Sequence, residues 1–429
     1  MRLRHCLFRM RLQLVSALVL VSLYISAVSY YHLSGRDLGG TGQDIQVALR
    51  QSHDVFPKED NTAAAQSNFY DPYFHLKLPH LANKHFVKTC EEKTNFVFIK
   101  CMKCATETMG TILRRYGYIR NLSFVVPNGK LLYLGWPYPM THKDYRPSKT
   151  SGFNILVEHS IYTKTVMRQI MPADTKYVTI IREPYNHFKS VFNYFNIANV
   201  AKIPGPDTLT EYLHNIEKYD AFYKSQEASP IRYCIPNNFS MTQNLLSRCL
   251  GMPLGFPPGH PDISSDTLAV QSYIEQLDSE FSLVMILEYF MESLVMLRRL
   301  MCWTIKDILY HSVNRQEYRY KRSFPKPRNL EIYYKWSRID YMLYDHFNET
   351  FWKNVGEQGD NFRDEVYFLF QVETQMELYC FGSNRTEGRP PLQIPASPWS
   401  NAFNFTAEED CKLLLTNLFE KIKERYDQM

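Results

Sequence analysis

Two stretches of this chain each run an apolar strand into a helix across a short loop bearing basic residues. That repeated join restricts the fold more than any other feature. The first is Asn95-Phe-Val-Phe-Ile-Lys-Cys-Met-Lys-Cys-Ala-Thr-Glu-Thr108, and the second is Tyr177-Val-Thr-Ile-Ile-Arg-Glu-Pro-Tyr-Asn-His-Phe-Lys-Ser190. A continuous apolar strand belongs inside a parallel sheet, and the helix that follows it supplies the crossover. Each join also makes a place for an anion, because the first turn of a helix has unpaired N–H groups and a positive dipole end. Lys100 and Lys103 lie in the first loop; Arg182 ends the second strand, Pro184 opens its helix and Ser190 follows within it. Two such joins, the second presenting Arg and Ser, fit a nucleotide with phosphates at both ends of its ribose.

Strands are expected at 95–100, 153–158, 176–181 and 282–287, each followed by a helical pattern. The chain therefore reads as α/β, with a mainly parallel central sheet flanked by helices. In the first helix Met109, Ile112, Leu113 and Tyr116 share one face, and after the third strand Phe188, Val191, Phe192 and Phe195 do the same. These stripes are core. Ser190 falls on the opposite face with Asn186 and Asn193, so core packing does not account for it. From about 329 to 429 the pattern is helical, broken by Arg389-Pro-Pro-Leu-Gln-Ile-Pro-Ala-Ser-Pro398.

The net charge of +5 is concentrated at the start of the chain. Setting aside Arg2, Arg4, Arg9 and Arg11 takes the 49 basic groups to 45, against 44 acidic ones, a net +1. A body so nearly neutral argues against nucleic acid as a partner and gives no special support for a polyanionic substrate. After the arginines come the 20 uncharged, mostly apolar residues 12–31, enough to cross a bilayer as a helix. The basic flank places 1–11 in the cytoplasm and the rest in a lumen. A cleaved signal peptide is the alternative, but a site at Ala27-Val-Ser29 would cut inside the run, which favours an uncleaved anchor. Residues 32–90 are polar and aperiodic and read as a stem, and 91–429 as the lumenal domain. Sequons at Asn121, Asn238, Asn348, Asn384 and Asn404 all follow the anchor, as a lumenal body requires. Eight of the nine cysteines follow it too, an even number suited to disulfides of undetermined pairing. Cys101 and Cys104 lack a second pair at zinc spacing, so no metal site is expected.

The first loop is not a Walker A sequence. Lys103-Cys-Ala-Thr-Glu-Thr108 instead resembles the 5′-phosphosulfate loop of sulfotransferases, and Arg182 with Ser190 resembles their 3′-phosphate site. Val126-Pro-Asn-Gly129, Asp144-Tyr-Arg-Pro147, Phe153-Asn-Ile155 with His159, Leu283 to Leu297, Cys302-Trp303 and Asp307-Ile-Leu-Tyr310 narrow the likeness. Together they look like the galactose-3-O-sulfotransferases, the group containing galactosylceramide sulfotransferase. The likeness runs in order through about residues 95–350.

The resemblance implies a P-loop-NTPase-like sulfotransferase fold in a single-pass type II Golgi membrane protein. It implies transfer of a sulfuryl group from 3′-phosphoadenosine 5′-phosphosulfate (PAPS) to the 3-hydroxyl of a terminal galactose, on a glycolipid or a glycoprotein glycan, without a metal. Lys100, Lys103, Cys104, Ala105, Thr106, Glu107 and Thr108 would then hold the phosphosulfate, and Arg182 and Ser190 the 3′-phosphate. Lys103 would stabilise the leaving phosphate, and His159 would be the base, with Glu158 and His142 in reserve. Without the resemblance, a lone histidine after a strand is more often structural.

The family's usual loop reads Lys-Thr-His-Lys-Thr-Ala-Ser-Ser-Thr. Here Met102 stands in place of the histidine, and Cys101 and Cys104, which would alter the loop if bonded to each other, in place of threonines. Glu107 puts a carboxylate beside a dianionic phosphate, repelling it unless the side chain turns away. A catalytically inactive glycan-binding relative and a sulfotransferase with a different sugar acceptor are the alternatives. A lumenal kinase or nucleotide-sugar glycosyltransferase is disfavoured, since Walker A and Asp-x-Asp motifs are missing. The aromatic run Leu132 to Tyr138 has three readings, as a sugar-stacking surface, a lipid contact or a packed loop.

Overall fold

The computed structural model describes residues 90–129, 132–226, 235–311, 324–382 and 388–429. The expected tail, anchor and stem (Cys90 apart), and also Cys234 and Asn384, lie outside the described residues. Among the described residues no helix is long and apolar enough to cross a membrane.

Four strands form one sheet: β1 (Phe96–Ile99), β2 (Ile155–Leu156), β3 (Lys176–Ile181) and β4 (Leu283–Ile286). Their order is β2-β1-β3-β4 and every pairing is parallel. All four side chains of β1 are fully buried, which only a central strand with both faces covered allows. The cover comes from α1 (Thr106–Ile119) after β1, α2 (Lys164–Ile170) before β3 and α3 (Pro184–Tyr194) after it. Further along are α4 (Leu245–Cys249), α5 (Thr267–Glu280) leading into β4, and α6 (Phe290–Met301) leaving it.

The strand order decides where a ligand can sit. From β1 the chain crosses to β2 on one side, then returns to lay β3 on the other. The loops leaving β1 and β3 therefore diverge and open a crevice at the carboxyl ends of the strands, the place where open α/β sheets take ligands. Ile99 is in register with Thr179, so the segments carrying Lys100 and Arg182 emerge side by side.

Both expected apolar stripes are core. Met109, Ile112, Leu113 and Tyr116 are fully buried, and Phe188, Val191, Phe192 and Phe195 are no more than 2% exposed. The segment 302–310 serves α1: Trp303 stacks on Tyr116 with ring centroids 3.8 Å apart, and Arg120 pairs with Asp307 at 2.9 Å. Arg115 adds a bond to the Asp307 carbonyl at 2.8 Å. The helix that carries the first loop is thus clamped at its far end.

The C-terminal region is helical as expected in α7 (Arg338–Gly356), α8 (Phe362–Phe381) and α9 (Leu418–Gln428). The proline-rich break, however, contains a strand. Leu392–Ile394 (β5) pairs antiparallel with Phe403–Phe405 (β6), burying Ile394 and Phe405. Three-residue strands carry too little alternation to be seen in sequence. Asn121, Asn238 and Asn404 are exposed, whereas Asn348 is half-buried within α7 and its Oδ1 has no hydrogen-bond partner among the described residues.

Disulfides join Cys90 to Cys302, Cys101 to Cys249 and Cys380 to Cys411. A Cys101–Cys104 bond is therefore excluded: Cys104 is a free, buried thiol, while Cys101 ties the first loop to the end of α4, 148 residues away. Closing so long a loop removes much of the unfolded chain's freedom. Replacing Cys101 and Cys249 together by serine is expected to cost about 2–5 kcal/mol. Scanning calorimetry on wild type and variant checks this; equal melting temperatures would mean the cross-link is not formed.

Candidate functional site

The first loop is held by its carbonyls. The His159 ring, just beyond β2, reaches the Lys100 carbonyl through Nδ1 at 2.8 Å. His187 in α3 reaches the Met102 carbonyl through Nε2 at 2.8 Å, and the Arg182 guanidinium donates to the Lys103 carbonyl at 3.3 Å. Three side chains from separate segments thus draw the loop's carbonyl oxygens toward the protein.

The backbone between them is unusual. Lys103 has φ +64° and Ala105 has φ +53°, the left-handed region that non-glycine residues enter at about 1–2 kcal/mol each. Alternation of this kind gathers successive N–H groups into an anion-sized concavity. Ala105 is also the N-cap of α1 and supplies no side-chain cap, so the first-turn N–H groups of Thr106, Glu107 and Thr108 keep their capacity for a ligand.

The second join behaves differently from expectation. Glu183 caps α3 with its own carboxylate, accepting from the N–H groups of Tyr185 at 2.9 Å and Asn186 at 2.7 Å. The amides at the start of α3 are already satisfied, so this segment offers a phosphate only its side chains. Arg182 is one of them, half-buried beside the first loop. Ser190 is the other, and it is only 8% exposed. His187, Ser190 and Tyr194 stand at i, i+3 and i+7, a single helical stripe. His187 touches the loop, and the Lys103 ammonium lies 3.8 Å from the centre of the Tyr194 ring. Ser190 lies between these two contacts on the loop-facing side, which explains its burial without core packing.

A charge network lies behind the loop. Lys100 is buried and pairs with Glu107, which also lies 3.5 Å from Arg114; Arg114 in turn grips Glu158 with two bonds of 2.8 and 2.7 Å. Burial works to raise the Glu107 pKa, but the Lys100 and Arg114 charges prevail and hold it at about 2. Glu107 therefore stays ionised, and its charge is met by Lys100 and Arg114. Lys100 answers Glu107 where a role toward phosphate was expected of it. Its pKa is pushed down by burial and then by Arg114.

His159 is half-buried, and burial followed by the Lys100 charge lowers its pKa to about 3. The ring is neutral at pH 7. Because a carbonyl can only accept, the proton sits on Nδ1, leaving the lone pair on Nε2. Burial, then Arg182, likewise lowers the Lys103 pKa. Of the reserves, Glu158 is consumed by Arg114, and His142 is exposed.

The structure thus gathers Lys100, Lys103, Cys104, Ala105, Thr106, Glu107, Thr108, His159 and Arg182 around the end of β1, with Ser190 facing them. Sequence reasoning missed His187 and Tyr194; their spacing with Ser190 on one helix was the signal. Among the described residues no group of three or more His, Cys, Asp or Glu could hold a metal ion.

A family model described as galactose-3-O-sulfotransferase matches residues 61–397. The chain is 32% identical to human galactosylceramide sulfotransferase over 325 residues, covering 72% of this chain and 70% of that protein. It is 30% identical to human galactose-3-O-sulfotransferase 3 over 346 residues, 78% of this chain and 74% of the relative. Pig galactose-3-O-sulfotransferase 2 is 29% identical over 294 residues, 67% and 69% of the two chains.

Proposed function

The chain belongs to the galactose-3-O-sulfotransferase family, and from that premise we propose that it moves a sulfuryl group from PAPS to the 3-hydroxyl of a terminal galactose. The observation that carries the reading is the 3.3 Å contact between Arg182 and the Lys103 carbonyl. It sets the two basic elements at one crevice, as a nucleotide with a 5′-phosphosulfate and a 3′-phosphate requires. The acceptor is a galactose-terminated glycolipid or glycan. The basic tail and apolar run at 1–31 support a type II anchor in the Golgi membrane with the sulfotransferase domain lumenal, and the parallel sheet supports a P-loop-like fold.

The galactose 3-oxygen attacks sulfur in line, forming one S–O bond as the bond from sulfur to the 5′-phosphate oxygen breaks. The hydroxyl proton passes to Nε2 of His159, and 3′-phosphoadenosine 5′-phosphate leaves. Lys103 and the first-turn amides of α1 meet the charge that grows on the leaving phosphate. A pKa near 3 makes His159 a poor base in the free protein. The negative charge of a bound donor raises it, and the Glu107 carboxylate beside it works in the same direction.

The test is to incubate the full chain with labelled PAPS and galactosylceramide, lactose or core-1 glycans. Sulfate on galactose O3 supports the reading; donor and glycan binding without transfer selects a non-catalytic relative, which Met102 in place of the family's histidine would favour. Arg182→Ala is expected to weaken donor binding by about 10–100-fold, the scale of a lost charge-assisted contact, with a smaller effect on kcat. Calorimetric titration with 3′-phosphoadenosine 5′-phosphate measures this, and unchanged affinity would remove Arg182 from the site.

A further inference from the structure

Beyond His159 the chain continues into a second concavity that the donor site does not use. His159 and Ile161 each make a bridge, to Tyr133 and Pro139 respectively, so this stretch is extended. Alternation then sends both side chains to one side and Ser160, which is fully buried, to the other. Ile161 lies about 7 Å along the chain from His159, and it forms one wall of a shallow, open cleft. Pro139, Phe239, Phe256, Arg248 and His260 form much of the remainder, and no acidic side chain lines it.

The cleft shares its frame with the donor loop. Gly251 lies on its wall two residues after Cys249, the cysteine bonded to Cys101. This glycine has φ +80°, and a Cβ there would fall 2.3 Å from the Tyr162 carbonyl oxygen, so the wall is packed too closely for any other residue. In the aromatic run at 132–138, Leu134 and Trp136 are buried while Leu132 and Tyr138 are exposed; Pro137 lies on this wall, and Tyr138 is 5.2 Å from the Phe256 ring.

We propose that this cleft binds the sugar ring next to the reacting galactose of an oligosaccharide acceptor. The inference rests on the transferase reading above. A pyranose ring presents an apolar C–H face and a rim of hydroxyls. Pro139, which is exposed, and the half-buried Phe256 offer apolar surface to the first, backed by the buried Ile161 and Phe239, and Arg248 and His260 offer donors to the second. Arg248 donates through Nε to the Gln243 carbonyl at 3.4 Å, and among the described residues it makes no ion pair with a carboxylate. Asp262, Asp340 and Asp220 nevertheless act on it from farther off. Two polar groups on the wall disfavour an acyl chain.

The experiment compares lactose with methyl β-galactoside, which lacks the second ring, as acceptors for the full chain. Galactosylceramide micelles serve as a third acceptor. Losing one hydroxyl contact is worth about tenfold. His260→Ala, an exposed position, and Arg248→Gln are each expected to raise KM for lactose relative to methyl β-galactoside about tenfold, with the donor KM following wild type. An equal effect on both acceptors, or none, overturns the proposal, as does an effect confined to galactosylceramide, which would give the cleft to the lipid. If no galactoside is sulfated, the transferase reading fails and saturation-transfer NMR of lactose still decides. Binding that these variants weaken supports the cleft as a sugar subsite; absent or unaltered binding refutes it.

Discussion

Replacing Lys103 by alanine is expected to lower kcat by about 10²–10³-fold while acceptor KM changes little, the signature of a charge that acts mainly in the transition state. The loss follows from where the ammonium is held. The residue sits in the left-handed region between the end of β1 and α1. Its Nζ stands over the Tyr194 ring at 3.8 Å, and its carbonyl is fixed by Arg182. Lys100, three residues before it, cannot replace it, since that side chain is buried and engaged with Glu107. Lys103→Arg keeps the charge but changes its reach, and partial recovery in that variant separates a charge requirement from a folding defect. An alanine variant with wild-type kcat would move the leaving phosphate elsewhere.

The second large effect is expected from His159→Ala, with kcat falling about 10²–10⁴-fold, the range for a lost general base. Among the described residues the imidazole makes one hydrogen bond, Nδ1 to the Lys100 carbonyl at 2.8 Å, and that contact sets the tautomer that leaves Nε2 open. Because burial keeps the ring of the free protein neutral down to about pH 3, the kcat/KM profile for the donor should show no loss of activity from protonation of His159 between pH 5 and 8. His159→Gln preserves a donor to the same carbonyl without a proton acceptor. If the glutamine variant recovers full turnover, His159 is a positioning residue and the proton goes elsewhere.

Much of this arrangement was legible before any coordinates, and the reason is physical. Parallel strands buried on both faces must be continuously apolar, so Phe96–Ile99 and Lys176–Ile181 announce themselves, and the helices after them follow from stripes such as Met109, Ile112, Leu113 and Tyr116. Lys103 and Arg182 were legible as basic residues at strand ends. What stayed hidden depends on contacts between distant segments. Nothing local joins Cys101 to Cys249, 148 residues on. Nor can sequence tell whether Glu183 will turn back to cap α3 or leave its amides open, because both conformations suit the same residues. Glu107 showed as a charge conflict with phosphate; only the placement of Lys100 and Arg114 behind it resolves the conflict. Ser190 was seen to lie off the apolar stripe, but its link to the loop needed His187 and Tyr194 on either side of it.

The most direct measurement is a crystal structure of the protein with 3′-phosphoadenosine 5′-phosphate. One nucleotide should lie across the ends of β1 and β3, its 5′-phosphate on the Thr106, Glu107 and Thr108 amides beside Lys103, and its 3′-phosphate within hydrogen-bond reach of Arg182 and Ser190. A nucleotide bound with either phosphate away from those groups, or seated in another cavity, would contradict the shared donor site on which the function rests.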